Sequence, residues 1–398
     1  MRLLILQFNG DYREAFNRFE AGAGETYYAQ KYSVDMVDKL GQQVEQIGVL
    51  CCITAESYDE VLSNGVRAIG AGFQGAVDFE QIVQRIEQFQ PTHLILNTPV
   101  RRLLNWAIQH RIPTLAILAD SFEAKSPKTH ITNFLLARKL NHPQIQWIGN
   151  HGVPAAQALQ KIGVNPNKII PWDWPHRTSP EAFPAKTLSV SAPENSSPLK
   201  LVYVGTISEA KGVGDAIRAV SRLKAQNFPV TLQIAGRGEI AAFEDLVQKL
   251  DIADRVNFLG LVENHRVIEL MRSADLVLVP SRPEYPEGFP MTIYEALCSR
   301  TPIVASNHPM FIKRLRHRTN ALIFSAGDET ALANCIQDLL TDPDLYQQIS
   351  QASLPTWKNL QLPVQWGDFI QRWLNGSATD QQWLYQQRLA SGQYDAVR

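Results

Sequence analysis

Two glutamates carry the strongest chemical signal in the chain. Glu287 and Glu295 lie in the stretch PSRPEYPEGFPMTIYEAL, residues 280–297, with seven residues between them. The stretch follows the apolar run Leu276–Val279. Gly288 and Pro290 shape a tight loop, and Met291–Leu297 reads as a helix. A strand–loop–helix unit offers unpaired amides and the positive end of the helix dipole at the helix start, a seat for a diphosphate. Two carboxylates at this spacing reach one side of a bound ligand and accept hydrogen bonds from sugar hydroxyls. Spacing alone leaves a second reading open, in which Glu287 caps the helix and Glu295 is a solvated helix residue.

The elements that must hold these residues alternate in kind. In the first half, strand-like runs at Leu3–Phe8, Ile47–Ile53, His93–Leu96, Thr114–Leu118 and Ile145–Ile148 are separated by helical patterns. Those helices span Glu25–Leu40, Asp78–Phe89, Arg101–His110, a region near Asn133–Leu140, and Val153–Ile162, which Gly163 closes. Residues 177–198 are rich in Ser, Pro and Ala without periodicity and read as a linker. The alternation then restarts with strands at Leu201–Val204, Val230–Ile234, Val256–Leu259, Leu276–Val279 and Ile303–Ala305. Short strands alternating with helices indicate parallel sheets of βαβ units. Two such series predict an α/β protein of two doubly wound, Rossmann-like domains facing across a cleft, with ligands at the carboxyl ends of the strands. The predicted boundaries are 1–176, a linker at 177–199, a second domain at 200–360, and helices at 361–398 that pack across the domain interface. The tail holds Trp357, Trp366, Trp373 and Trp383. Packing is their expected role, with a carbohydrate-stacking surface as the alternative.

Bulk properties exclude several classes. With 45% hydrophobic and 19% charged residues the chain is of globular composition, and its net charge of −1 gives no general attraction to nucleic acid or to an anionic membrane, which leaves only local basic clusters. The four cysteines, Cys51, Cys52, Cys298 and Cys335, form no CxxC and no zinc spacing. They suit a reducing compartment, with Cys51 and Cys52 in a buried strand. The start, MRLLILQFNG, is too short for a signal core, and no stretch reaches the roughly 18 apolar residues of a membrane span. The expectation is a cytoplasmic protein, with contact at the inner membrane surface left open.

The order of these segments resembles the retaining family 4 glycosyltransferases of the GT-B fold (glycosyl transferases group 1). Residues 274–306, ADLVLVPSRPEYPEGFPMTIYEALCSRTPIVAS, resemble the family's strand, loop, helix and next strand, with its E-x7-E element. The resemblance implies that Glu287 binds donor-sugar hydroxyls, that Glu295 binds the ribose, and that Gly288, Phe289, Pro290 and Met291 line the phosphate region. LVYVGTISEAKGVGDAIRAV resembles the first strand and phosphate loop of the donor domain, around Gly205 and Thr206. Lys211 would there neutralise the diphosphate as leaving-group charge grows, the alternative being a surface lysine in a Lys-Gly turn. LQIAGRGE and VNFLGLV resemble the following strands. Gly22-Ala-Gly24-Glu-Thr26 resembles the glycine-rich loop before the first helix, although a turn with a helix cap accounts for it equally.

Three departures from the family pattern stand out. Thr206 replaces the usual Arg after Gly205, which leaves Arg237 as a candidate phosphate partner. Ala119-Asp120 replaces His-Asp, leaving Asp120 to approach the acceptor. Pro171-Trp-Asp-Trp-Pro175 replaces an Asn-Gly turn near the domain boundary. Two further signals are set aside. Asp342-Pro-Asp344 reads as helix capping rather than a metal motif, and the basic run 313–318 as a solvated face rather than a lipid contact.

The expected activity is transfer of a sugar from a nucleotide-sugar donor to a sugar, lipid or small-molecule acceptor. The resemblance implies retention at the anomeric carbon, without metal or other cofactor. The alternatives are a non-catalytic sugar-nucleotide-binding regulator and a nucleotide-sugar epimerase of the same fold. A phosphorylase would carry pyridoxal phosphate on a lysine.

Overall fold

The computed structural model describes residues 1–8, 10–122, 126–188, 198–287 and 289–394. It divides into two units, one of Met1–Glu25, Ala29–Pro175 and Leu362–Arg398, the other of Thr26–Tyr28 and His176–Gln361.

The first unit is built on an eight-stranded sheet. Its strands are β1 (Arg2–Gln7), β2 (Gln46–Ile53), β3 (Ser57–Val61), β4 (Arg67–Phe73), β5 (His93–Leu96), β6 (Thr114–Leu118), β7 (Ile145–His151) and β8 (Ile169–Trp172). They run in the order β3-β4-β2-β1-β5-β6-β7-β8, and only the β3–β4 pair is antiparallel. Runs such as Leu3–Leu6 are buried on both faces, which is why they read as continuous apolar stretches rather than alternation. Helices α1 (Tyr12–Glu20), α2 (Gln30–Gly41), α3 (Phe79–Phe89), α4 (Arg101–Gln109), α5 (Pro127–Leu140) and α6 (Val153–Lys161) belong to this unit. So do α13 (Trp366–Asn375) and α14 (Ala378–Gln386). Trp366 and Trp373 are buried in the same cluster as Leu3, Ile5 and Val37, and Trp366 stacks on Trp174 at 5.4 Å. These indoles serve as core. Cys51 and Cys52 are buried free thiols on β2.

Four elements depart from the sequence reading. Helix α1 precedes the glycine loop, so Gly22 and Gly24 lie between α1 and α2 rather than before the first helix. Asp11 caps α1, accepting from Glu14 N, and Tyr12, Ala15 and Phe16 are buried. Strands β3 and β4 were not legible, because β3 is a largely exposed polar edge and β4 carries Gly70 directly under the Tyr58 ring. Ile169–Trp172 is a full strand; the Pro171 that suggested a turn sits on the sheet edge, where its missing N–H costs no ladder bond.

The second unit has a six-stranded, wholly parallel sheet. Its strands are β9 (Leu199–Val204), β10 (Val230–Ala235), β11 (Val256–Gly260), β12 (Leu276–Val279), β13 (Ile303–Ser306) and β14 (Leu322–Phe324). The order is β11-β10-β9-β12-β13-β14, the doubly wound order whose direction reverses between β9 and β12. Helices α7 (Val213–Ala225), α8 (Ile240–Lys249), α9 (Asn264–Ser273), α10 (Met291–Ser299), α11 (Glu329–Thr341) and α12 (Pro343–Leu360) complete it. Part of the predicted linker is ordered on this unit. The Lys186 ammonium donates to the Arg272 carbonyl at 2.9 Å and to that of Ala274, and burial pulls its pKa down to about 8. Residues 189–197 lie outside the described residues.

Candidate functional site

The reversal point between β9 and β12 brings two loops together at the carboxyl ends of the strands. The loop after β9 carries Gly205, Thr206 and Lys211; the loop after β12 carries Ser281 to Pro290. They interlock through the backbone. Arg282 N donates to the Ala210 carbonyl at 2.9 Å. Gly212, at φ +73°, presses on Pro280, and a Cβ there would lie 2.1 Å from the Pro280 oxygen. No other residue type fits that position, since both the left-handed backbone and the contact exclude a side chain. The loop after β10 joins on the other side. Ile207 N donates to the Arg237 carbonyl at 2.7 Å, and a Cβ on Gly236 would lie 1.8 Å from the Gly205 oxygen.

Lys211 and Glu287 meet on this frame. The Lys211 ammonium donates to Glu287 Oε1 and sits 4.1 Å from the centre of the Tyr285 ring. Ser281 Oγ also donates to Glu287 Oε1, at 2.8 Å, and Ser306 Oγ donates to the Ser281 carbonyl at 2.5 Å. His308 Nδ1 accepts from Met310 N, which assigns its Nε2 as the donor to the Tyr285 carbonyl at 3.2 Å. Glu287 is buried and oriented from two sides, so it does not cap α10; the N-cap there is Pro290, with no side-chain cap bond. The first-turn amides of α10 are left for backbone, solvent or ligand acceptors. Thr292 Oγ1 donates to the Val204 carbonyl at 3.3 Å and pins this helix start to the end of β9. Phe289 is buried edge-on against Tyr294, while Pro290 and Met291 are partly exposed at the helix start. Gly288 lies outside the described residues.

Glu295 is buried on α10, not solvated, and accepts from Asn264 Nδ2 at 2.8 Å. Burial pushes its pKa up to about 7, against the Asn264 bond that lowers it. An ordinary Glu ionises near 4.5. Between those pH values the folded state holds a proton that the unfolded state has lost, so stability falls as pH rises through that window and is level above it. Glu295→Gln removes this dependence. The expected gain is about 1–3 kcal/mol at pH 8 and nothing at pH 4, read from thermal unfolding across pH. A pH slope that survives the substitution contradicts the assignment.

The remaining sequence candidates fall into two groups. Thr206 is exposed on the β9 loop, and its carbonyl accepts from Tyr203 Oη at 2.6 Å. Arg237 is exposed on the neighbouring loop and makes no ion pair among the described residues; its carbonyl accepts from Ile207 N, so its backbone adjoins the β9 loop. In the first unit, Asp120 follows β6; burial raises its pKa to about 6, and its backbone is held by the Asn150 amide. Gly22, at φ +77°, lies in an open loop where a Cβ would meet nothing within 4 Å, and Gly24 follows it.

One cluster was missed by sequence reasoning. Asp215, wholly buried in the first turn of α7, accepts from Arg282 Nε at 2.8 Å and Nη2 at 2.6 Å, and from Arg218 at 3.0 Å. Glu209 binds the same two arginines. The cluster ties the phosphate-loop candidate to the loop of Glu287. Its one sequence signal is an acid adjoining the core positions Val213, Ala216 and Ile217. Asp342 caps α12, accepting from Leu345 N at 3.0 Å, as the capping reading expects. In the basic run, Arg318 faces Asp338 and Asp342, each at 3.7 Å.

Comparison with known proteins bears on this geometry. Residues 185–354 match the family described as Glycosyl transferases group 1. A D-inositol 3-phosphate glycosyltransferase of Stackebrandtia nassauensis is 30% identical over 191 residues, which is 44% of this chain and 42% of that protein. The chain spans less than half the length of the curated relatives it matches. Sucrose-phosphate synthase from Thermosynechococcus elongatus superposes with a TM-score of 0.65 at 16% identity, over 95% of this chain and 100% of that one. Anabaena HepE in complex with UDP-glucose superposes with a TM-score of 0.61 at 17% identity, over 90% and 95%. The interlocked loops around Lys211 and Glu287 thus belong to a glycosyl transferases group 1 domain at residues 185–354, in a chain with the GT-B fold.

Proposed function

We propose that the chain is a glycosyltransferase that moves a sugar from a nucleoside-diphosphate donor to an acceptor hydroxyl, with retention at the anomeric carbon. The carrying observation is the Lys211–Glu287 pair at the reversal point, beside the uncapped start of α10. In the proposed complex the diphosphate lies between the Lys211 ammonium and the first amides of α10, with Arg237 supplying the second cation in place of the family arginine. Lys211 then exchanges its carboxylate partner for phosphate, and Glu287 accepts from the sugar hydroxyls. Glu295 and Asn264 receive the ribose. The bond from the anomeric carbon to the phosphate oxygen breaks, and a bond to the acceptor oxygen forms as its proton passes to the departing phosphate. The charge left on the diphosphate is met by preorganised donors, without a metal. Asp120, Gly22 and Gly24 are assigned to the acceptor and donor-sugar side of the reaction.

UDP is the first donor nucleotide to test, because HepE, a protein of the same fold, is bound to UDP-glucose. Calorimetric titration is expected to show UDP binding within about 1 µM–1 mM, the range typical of enzyme substrates. Release of UDP from UDP-glucose should accelerate with the right acceptor. If no nucleoside diphosphate binds, the site assignment fails. Binding without release of UDP across an acceptor panel leaves a non-catalytic binder. An epimerised donor formed without acceptor identifies an isomerase, and an inverted product overturns retention.

A further inference from the structure

Four basic side chains line one groove of the first unit, and no carboxylate lines it with them. Between α4 and α5 lies a cavity of about 430 Å³ bounded by Arg101, Asn105, Leu135, Arg138, Lys139 and His142. Arg101, Arg138 and Lys139 make no ion pair among the described residues, whereas the adjacent Arg102 pairs with Glu80 at 2.5 Å. His142 Nδ1 accepts from Gln144 N at 3.2 Å, so its Nε2 carries a proton to donate. Asn105 Oδ1 is buried without a hydrogen-bond partner. The groove therefore offers several cationic donors. That pattern fits the phosphodiester of a headgroup.

The rim of the groove is apolar. Ile131 is 61% exposed and Phe134 is 59% exposed. Both lie about one to two turns before Arg138 on the same side of α5, while Leu136, Ala137 and Leu140 bury the opposite side in the core. A free phosphate accounts for the unpaired cations and not for an exposed phenyl ring beside them. An apolar protein surface accounts for the ring and leaves the cations uncompensated. An anionic bilayer supplies both complements, headgroup charge and an acyl boundary. No helix among the described residues is long and apolar enough to cross a membrane.

We propose that the α4–α5 groove docks this protein on an anionic phospholipid surface, with a headgroup phosphate among Arg101, Arg138 and Lys139 and with Ile131 and Phe134 at the acyl boundary. The basic run 313–318 has no part in it.

The test is co-sedimentation of the full chain with vesicles of phosphatidylcholine alone and vesicles containing about one-third phosphatidylglycerol, at low and high salt. The parent is expected to pellet with the anionic vesicles only, and less at high salt. R138E/K139E should lower the partition coefficient at least about twentyfold, from two basic contacts each worth about a factor of five near such a surface. I131S/F134S should lower it about tenfold, from lost apolar insertion, and leave the salt dependence in place. K313E/R316E should leave it unchanged. Circular dichroism melts of each variant establish that it is folded, and the two groove variants act through different side chains. Failure of the parent to bind anionic vesicles overturns the proposal. So does equal loss in K313E/R316E, and so does stabilisation by inorganic phosphate without vesicle binding, which marks a free-anion site. Concentration-dependent self-association abolished by I131S/F134S, with no vesicle binding, marks a protein interface and also overturns it.

Discussion

Replacing Lys211 with Met lowers kcat for sugar transfer by about two to three orders of magnitude, the usual result of removing one preorganised donor to a developing negative charge. Met keeps the aliphatic stem over the Tyr285 ring and removes the charge that pairs with Glu287. The loss should fall mainly on kcat, because charge on the leaving phosphate grows toward the transition state. The substitution also strands Glu287, whose side chain is only 8% exposed, with Ser281 Oγ as its remaining side-chain donor among the described residues. Stability should therefore drop by about 1–3 kcal/mol, the cost of leaving a buried polar group under-satisfied. K211M/E287Q should recover stability and not turnover. Steady-state kinetics on UDP-glucose and an accepted acceptor, with thermal unfolding of both variants, separate the two effects. A kcat for K211M within twofold of the parent removes Lys211 from the mechanism.

Asp215→Ala is the second large effect. Asp215 has no exposed surface and accepts three hydrogen bonds from Arg282 and Arg218. Both guanidiniums keep partial contact with solvent and with Glu209, so the loss belongs near the lower end of the range for breaking a buried ion pair, about 3 kcal/mol. The transition in differential scanning calorimetry should move down accordingly. KM for the donor should also rise, because Arg282 anchors the loop that presents Glu287 and Ser281. Asp215→Asn keeps the volume and part of the hydrogen bonding, and should recover some of both. A D215A variant that melts within a degree of the parent with unchanged KM shows that the cluster does not hold the loop.

Much of the site was legible where its causes are local. An apolar run, a Pro-rich loop and a helical pattern in sequence are enough to place Glu287 and Glu295 on one strand–loop–helix unit, and the order of the segments pointed to the fold. Burial was not legible. A helix of nine residues with a glutamate at its centre reads as half-solvated until α9 covers it and brings Asn264 onto Glu295. Helix α1 and strands β3 and β4 escaped notice for a related reason. Their pattern is set by what packs on them, such as the Tyr58 ring over Gly70, and not by their own periodicity.

The sequence by itself determined the alternating strands and helices, the two sheet-forming series and the identity of the two glutamates, since these rest on residue type and on spacing within about ten positions. The tertiary structure decided every pairing across the sheet. Lys211 and Glu287 are 76 residues apart and meet because β12 inserts beside β9. Asp215 and Arg282 meet for the same reason across 67 residues. The basic side chains of α4 and α5 become one groove only when both helices pack on the first sheet. Local periodicity encodes which face of an element is apolar, whereas strand order arises from the packing of the whole sheet, and charge-bearing loops inherit their partners from that order.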